Sequence, residues 1–173
     1  GFYDELTQIG NRRALLAALK TAGNHYSLAM VDADHFKKIN DRFGHDLGDQ
    51  ALKVIASCIS NTGGARAFRY GGEEFCLLFK GKSREEVADS LEQVRQSIAN
   101  YDMVIRDKKH RPTEQTEGKK KRGASKRHSN LRLTVSVGVV DSSDGGSFEQ
   151  LIKLADRALY KAKAGGRNRL AFA

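Results

Sequence analysis

Residues 66–79, Arg-Ala-Phe-Arg-Tyr-Gly-Gly-Glu-Glu-Phe-Cys-Leu-Leu-Phe, hold two strand-like runs, Arg66–Tyr70 and Glu73–Phe79, parted by Gly71-Gly72. Two glycines between apolar runs are a hairpin signal. Upstream, Tyr26–Asp32 is a short apolar run ending in a carboxylate, which reads as a buried strand. Between them, His45–Asn61 sets Leu47, Ala51, Leu52, Ile55, Cys58 and Ile59 along one helical stripe. Downstream, Ser83 and Glu86 form a capping box, and Val87, Leu91, Val94, Ile98 and Tyr101 predict a single helix face. Leu131, Leu133, Val135, Val137 and Val139 alternate at period two, the pattern of a half-buried strand. The order from residue 26 to 140 is therefore β-α-β-β-α-β, the ferredoxin-like arrangement.

Both flanks add to this core. Residues 11–22 predict a helix capped by Asn11. Ser147 with Gln150 opens another, stopped by Gly165-Gly166, and a short strand near Arg169–Phe172 closes the chain. The fold class is thus α/β (α+β): a ferredoxin-like βαββαβ core with an added N-terminal helix and a C-terminal α-β extension, one domain over residues 1–173. A right-handed crossover makes the first two strands parallel and leaves the third between them, antiparallel to both. Asp32 and the Gly71–Glu74 turn should then meet at one edge of the sheet.

Composition narrows the function. Lys+Arg number 30 against 21 Asp+Glu, a net charge of +9, yet residues 106–132 alone hold eleven basic and three acidic residues. The rest is close to neutral, which weakens the case for a nucleic-acid surface. RNA-binding ferredoxin-like sheets also carry paired aromatics on the sheet face, and none stand here, so no nucleic acid is expected. Residues 107–130 are almost free of apolar side chains and contain the only proline, Pro112. They predict a basic, polar insertion, a loop or extended hairpin tip, dispensable for chemistry; its functional rival is contact with an anionic membrane surface. Cys58 and Cys76 sit among apolar neighbours and read as core thiols of a reducing compartment. No run approaches the roughly 20 apolar residues of a membrane span. The expectation is a cytoplasmic domain, part of a longer membrane-anchored or multidomain sensor.

Asp32 and Asp34, ending an apolar strand, are costly to desolvate unless something positive compensates. Hard divalent cations want oxygen ligands, and the hairpin supplies Glu73 to the same place. The glycines before it permit positive φ and close approach of a phosphate. The plainer alternative is an ordinary turn with a solvated acid pair and Asp32 as a helix cap. Lys163 and Arg167 follow a helix C-terminus, where the dipole favours cations anyway. Asn40, His45 and Asp49 taken singly, like Lys37-Lys38, suit helix ends and solvated faces.

Five ordered blocks change that balance. Arg69–Phe75 (RYGGEEF) resembles the signature of the GGDEF family, the diguanylate cyclases, in its GGEEF form. Asp4–Arg13, Val31–Asp41 with Phe43–Asp49, Thr134–Gly138 and Ala158–Asn168 are similar to that family's other blocks. Gln8, where the family usually has Gly, and the basic insertion depart from the pattern. The resemblance implies a fold like nucleotide cyclases and polymerase palms. It implies condensation of two GTP into cyclic di-GMP and two pyrophosphates at the interface of a homodimer. By the same carry-over, Asp32, the Ala33 carbonyl and Glu73 would bind two Mg²⁺ or Mn²⁺. Glu73, aided by Glu74, would take the proton, and Lys37, Lys163 and Arg167 would hold phosphates. Asn40 and Asp49 would read the guanine edge, with His45 near the nucleoside, Ile9 against the base, and Phe36 and Gly72 also at substrate-binding positions. Thr62 and Ala65 stand where many members carry the Arg and Asp of an RxxD product-inhibition motif, so that site is expected to be absent. A catalytically silent GTP- or cyclic di-GMP-binding regulatory module is the alternative function.

Overall fold

The computed structural model describes residues 1–105 and 130–173; the basic insertion, but for Asn130, lies outside the described residues. The chain runs α1 (Arg12–Lys20), β1 (Tyr26–Ala33), α2 (Phe36–Phe43), α3 (His45–Ser60), β2 (Arg66–Arg69), β3 (Glu74–Lys80), α4 (Arg84–Ala99), β4 (Met103–Val104), β5 (Asn130–Leu131), β6 (Val135–Asp141), α5 (Phe148–Ala164) and β7 (Arg169–Phe172). Asn11 caps α1 through Ala14, and capping boxes at Ser83–Glu86 and Ser147–Gln150 open α4 and α5 as expected.

Five strands form one sheet in the order β2-β3-β1-β6-β7. β1 is antiparallel to both β3 and β6, β2 is antiparallel to β3, and β7 lies parallel to β6. β1 and β2 are therefore parallel with β3 between them, the predicted ferredoxin-like order. The register sets Asp32 opposite Glu74, so the strand end and the hairpin turn do share an edge.

Strand parity splits the core in two. Ala29 and Val31 join Phe75, Leu77, Phe79, Val137 and Val139 beneath Ile39, Ile55 and Leu91 of α2, α3 and α4. Leu28 and Met30 join Cys76, Leu78 and Val140 beneath Leu15 of α1 and Leu159 of α5. The flanking helices thus cover the face that a bare ferredoxin-like sheet leaves open. This corrects one expectation: β6 is buried at all seven positions, not half-buried, and it starts at Val135, with Leu131 in a separate two-stranded ladder with β4. Tyr101 also leaves its predicted helix; α4 ends at Ala99 and the ring is 47% exposed.

Gly138 fixes how closely α5 approaches β6. A Cβ there would fall 2.3 Å from both the Ala155 carbonyl oxygen and the Leu159 nitrogen, backbone atoms that cannot turn aside. Gly138→Ala should cost about 3 kcal/mol by chemical denaturation, at the upper end for overpacking, because the helix must lift off the sheet. A loss below about 1 kcal/mol would show that α5 is not seated on this contact.

Candidate active site

Parity also decides what gathers at the end of β1. Asp32 continues the Leu28–Met30 row onto the α5 side, and Glu74 continues the Cys76–Leu78 row beside it. Cross-strand partners share a face, so two carboxylates stand together. Asp32 is 2% exposed, and among the described residues its hydrogen-bond partner is Lys163, whose Nζ donates to Oδ2 at 2.5 Å. Burial raises the Asp32 pKa, opposed by Lys163 and reinforced by the charge of Asp34. Glu73 and Glu74 are raised by burial and then by the charge of Asp32. Asp156 of α5 is raised in the same way, with Lys163 and Arg12 countering. Negative charge exceeds its compensation here. The site wants a cation.

Glu73 lies in the turn just ahead of β3, and its carbonyl accepts from the Ala33 N–H at 3.2 Å. Arg69 braces that turn, its guanidinium donating to the Gly72 and Gly71 carbonyls at 2.8 and 3.2 Å and pairing with Asp4 at 3.1 Å. Thr7 in turn donates to Asp4 through N–H and hydroxyl, so the opening block of the chain buttresses the hairpin. Neither Gly71 nor Gly72 adopts positive φ, which corrects the conformational role expected of them. A Cβ on Gly72 would meet nothing within 4 Å, so the space beside this turn is open. Positive φ falls instead on Gln8, at 63°, a conformation that glycine adopts without a steric penalty.

The residues matched to base recognition lie on α2 and α3. Phe36 opens α2, and the Asn40 amide rests against Gly48, where a Cβ would fall 1.9 Å from Asn40 Oδ1 and 3.3 Å from the Phe36 ring. Among the described residues Asn40 Oδ1 is buried and finds no hydrogen-bond partner. His45 and Asp49 are exposed one turn apart along α3, and Lys37 is exposed on α2. Ile9 packs, like Phe36, against the core on the α2–α3 side of the sheet, and it also lines a groove of about 530 Å³ with Phe2, Tyr3, Ala14 and Arg66. Thr62 is buried in the turn after α3, and its carbonyl accepts from the Ala65 N–H at 3.3 Å.

The family model described as diguanylate cyclase, GGDEF domain, matches residues 1–118 and 115–169. The chain belongs to the GGDEF family. It is 38% identical to the diguanylate cyclase VdcA of Vibrio cholerae over 97% of this chain and 46% of VdcA. It is 31% identical to the response regulator PleD of Caulobacter vibrioides over 95% of this chain and 34% of PleD. The chain thus spans less than half the length of these relatives. The crystal structure of the coiled coil and GGDEF domain of DgcB from Caulobacter crescentus, in complex with c-di-GMP, superposes with a TM-score of 0.83 at 31% identity, covering 99% of this chain and 85% of that one. Among the described residues no helix is long and apolar enough to cross a membrane.

Sequence reasoning missed one member of this GGDEF site, Asp156, and misread what compensates another, Asp34. Asp156 lies seven residues ahead of Lys163, two turns along the same helix, a spacing that would have placed it on the Lys163 face. Asp34 is compensated by hydroxyls and not by a cation: Thr134 Oγ1 and Ser136 Oγ donate to it at 2.6 and 2.7 Å. Among the described residues no three His, Cys, Asp or Glu side chains converge as a ready-made metal cage. A carboxylate whose folded pKa is raised costs stability above that pKa, and the cost fades as pH falls through it. In the nucleotide-free domain at pH 7.5, Glu73→Gln should therefore melt at or above the parent temperature, with the gap closing as pH falls. A variant that melts clearly lower, read by circular dichroism, would contradict the crowding of charge at this edge.

Proposed function

We propose that this GGDEF domain, residues 1–173 acting as one catalytic unit, is a diguanylate cyclase that condenses two GTP into cyclic di-GMP and two pyrophosphates. The observation that carries this reading is the juxtaposition of under-compensated carboxylates on β1 and the hairpin with an ammonium on α5. The curated relatives named diguanylate cyclases support it.

Asp32, the Ala33 carbonyl and Glu73 form an all-oxygen donor set, which suits Mg²⁺ or Mn²⁺, and their excess negative charge fits a divalent ion; we assign two per half-site. When bound, such ions supply Lewis-acid stabilisation of the α-phosphate and ease deprotonation of the attacking hydroxyl. Glu73 accepts the proton of a 3′-hydroxyl, with Glu74 beside it to share the charge. The 3′-oxygen bonds to the α-phosphorus of the facing GTP as the bond to pyrophosphate breaks, and the same exchange runs in the opposite direction. Lys163, with Arg167 and Lys37, would take phosphate oxygens, and Asp32 would then be free to hold the ion. The Gly72 backbone leaves space for them.

Asn40 and Asp49 read the guanine edge, whose N1–H and exocyclic amine would satisfy the orphaned Asn40 Oδ1. Phe36, His45 and Ile9 complete our assignment of the nucleoside contacts. Each domain holds one GTP, so a second copy must supply the other half-site. Thr62 and Ala65 offer neither a guanidinium nor a carboxylate, so product does not act through an RxxD site. The basic insertion, 107–130, stands outside the chemistry as a dispensable polar extension, with contact to an anionic membrane surface as its rival role, in a longer multidomain protein.

Gly48→Ala tests the base assignment. The added methyl must displace the Asn40 amide, so GTP affinity by calorimetry should fall at least tenfold while the already weak ATP affinity stays within twofold. A site built to hydrogen-bond a base discriminates strongly through groups left unpaired by the wrong one. Equal affinity of the parent for GTP and ATP would overturn guanine recognition by Asn40 and Asp49.

A further inference from the structure

Two successive non-glycine residues, Arg167 and Asn168, adopt positive φ of 63° and 47° in the turn between α5 and β7. Such backbone is unfavourable for L residues and persists where its surroundings over-determine it. The surroundings here centre on Asp34, which is 4% exposed. Its Oδ2 accepts from the Asn168 N–H at 3.0 Å and from Thr134 Oγ1 at 2.6 Å, and its Oδ1 accepts from Ser136 Oγ at 2.7 Å. The Asp34 N–H donates to the Thr134 carbonyl at 2.9 Å. From α4, Arg95 donates to Asn168 Oδ1 at 2.6 Å, and the Arg167 N–H returns to the Ala162 carbonyl at 3.0 Å. One carboxylate therefore joins the segment after β1, the approach to β6, and the α5–β7 turn.

We propose that Asp34 is a positioning residue: it holds the Arg167–Asn168 turn in its left-handed form and so aims Arg167 at the phosphates bound beside Asp32. This rests on the reading of Arg167 as a phosphate-binding residue. Asp32 and Asp34 lie two residues apart, so the end of β1 sets both the metal-facing carboxylate and the phosphate-facing turn. Asp34 itself is filled by three donors and has no role as a metal ligand.

The test combines hydrogen exchange with a double-mutant cycle. In Asp34→Asn, the Asn168 amide should exchange at least tenfold faster while β1 and β6 keep their protection; a merely global loss of stability would speed exchange throughout. The variant should raise KM for GTP about tenfold, and in an Arg167→Ala background it should add less than twofold. Should Asp34→Asn not fold, Thr134→Val removes one donor to the same carboxylate and should shift exchange and KM the same way, with Thr134→Ser restoring both. An Asn168 amide that stays protected, or losses from Asp34→Asn and Arg167→Ala that multiply in full, would overturn the positioning role. Parental KM in Arg167→Ala alone would instead overturn the phosphate reading beneath it, and the proposal with it.

Discussion

A carboxylate buried at the end of an apolar strand must be compensated, and in this domain the compensation of Asp32 is one ammonium, Lys163. The Lys163 side chain is 32% exposed, so water screens the pair more than a fully buried one, but losing it would leave Asp32 buried and unpaired at the junction of α5 and β1. Much of the architecture serves it. Gly138 lets α5 lie close to the sheet, the Ser147–Gln150 box starts the helix, and two further turns carry Lys163 beyond Asp156 to the strand end. Yet even with the charges of Arg12 and Arg167 added to Lys163, Asp32, Glu73, Glu74 and Asp156 all keep raised pKa values, burial being the largest cause. Stability and function pull in opposite directions at this point, as they do where charge is held ready for a ligand.

The two halves of the site are built differently. The acidic half is rigid, set by strand register and by a hairpin turn that Arg69 and Asp4 brace from outside. The half on α2 and α3 depends on close packing of small and polar groups, with Asn40 pressed against Gly48. Its buried, unpaired Oδ1 is the kind of polar orphan that folded proteins seldom tolerate without a partner. A ligand that brings a donor there repays both the strain and the desolvation.

Most of the sheet was legible in the sequence because its signals are local. The Gly71-Gly72 turn, the two Ser capping boxes and the Asn11 cap each act within a few residues, and each appears where the pattern put it. The alternation from Leu131 to Val139 predicts a half-buried strand because it cannot reveal a second covering layer; α1 and α5 supply it from the far ends of the chain. The start of β3 at Glu74 and not Glu73 reflects the extra residue that the turn consumes. Asp34 was the hardest to read. Its partners lie 100 to 134 positions away, and hydroxyl compensation leaves no charge pattern for a sequence to display.

On the proposed function, a single domain carries half of a symmetric condensation. Its most direct test is product analysis after incubation with GTP and Mg²⁺ over a wide range of protein concentration, by chromatography with mass detection and a pyrophosphate assay. One cyclic di-GMP is expected for every two pyrophosphates, with activity per mole rising with protein concentration as facing half-sites assemble. GTP recovered intact at every concentration, or a linear or monomeric cyclic product formed at a rate per mole independent of concentration, would contradict it.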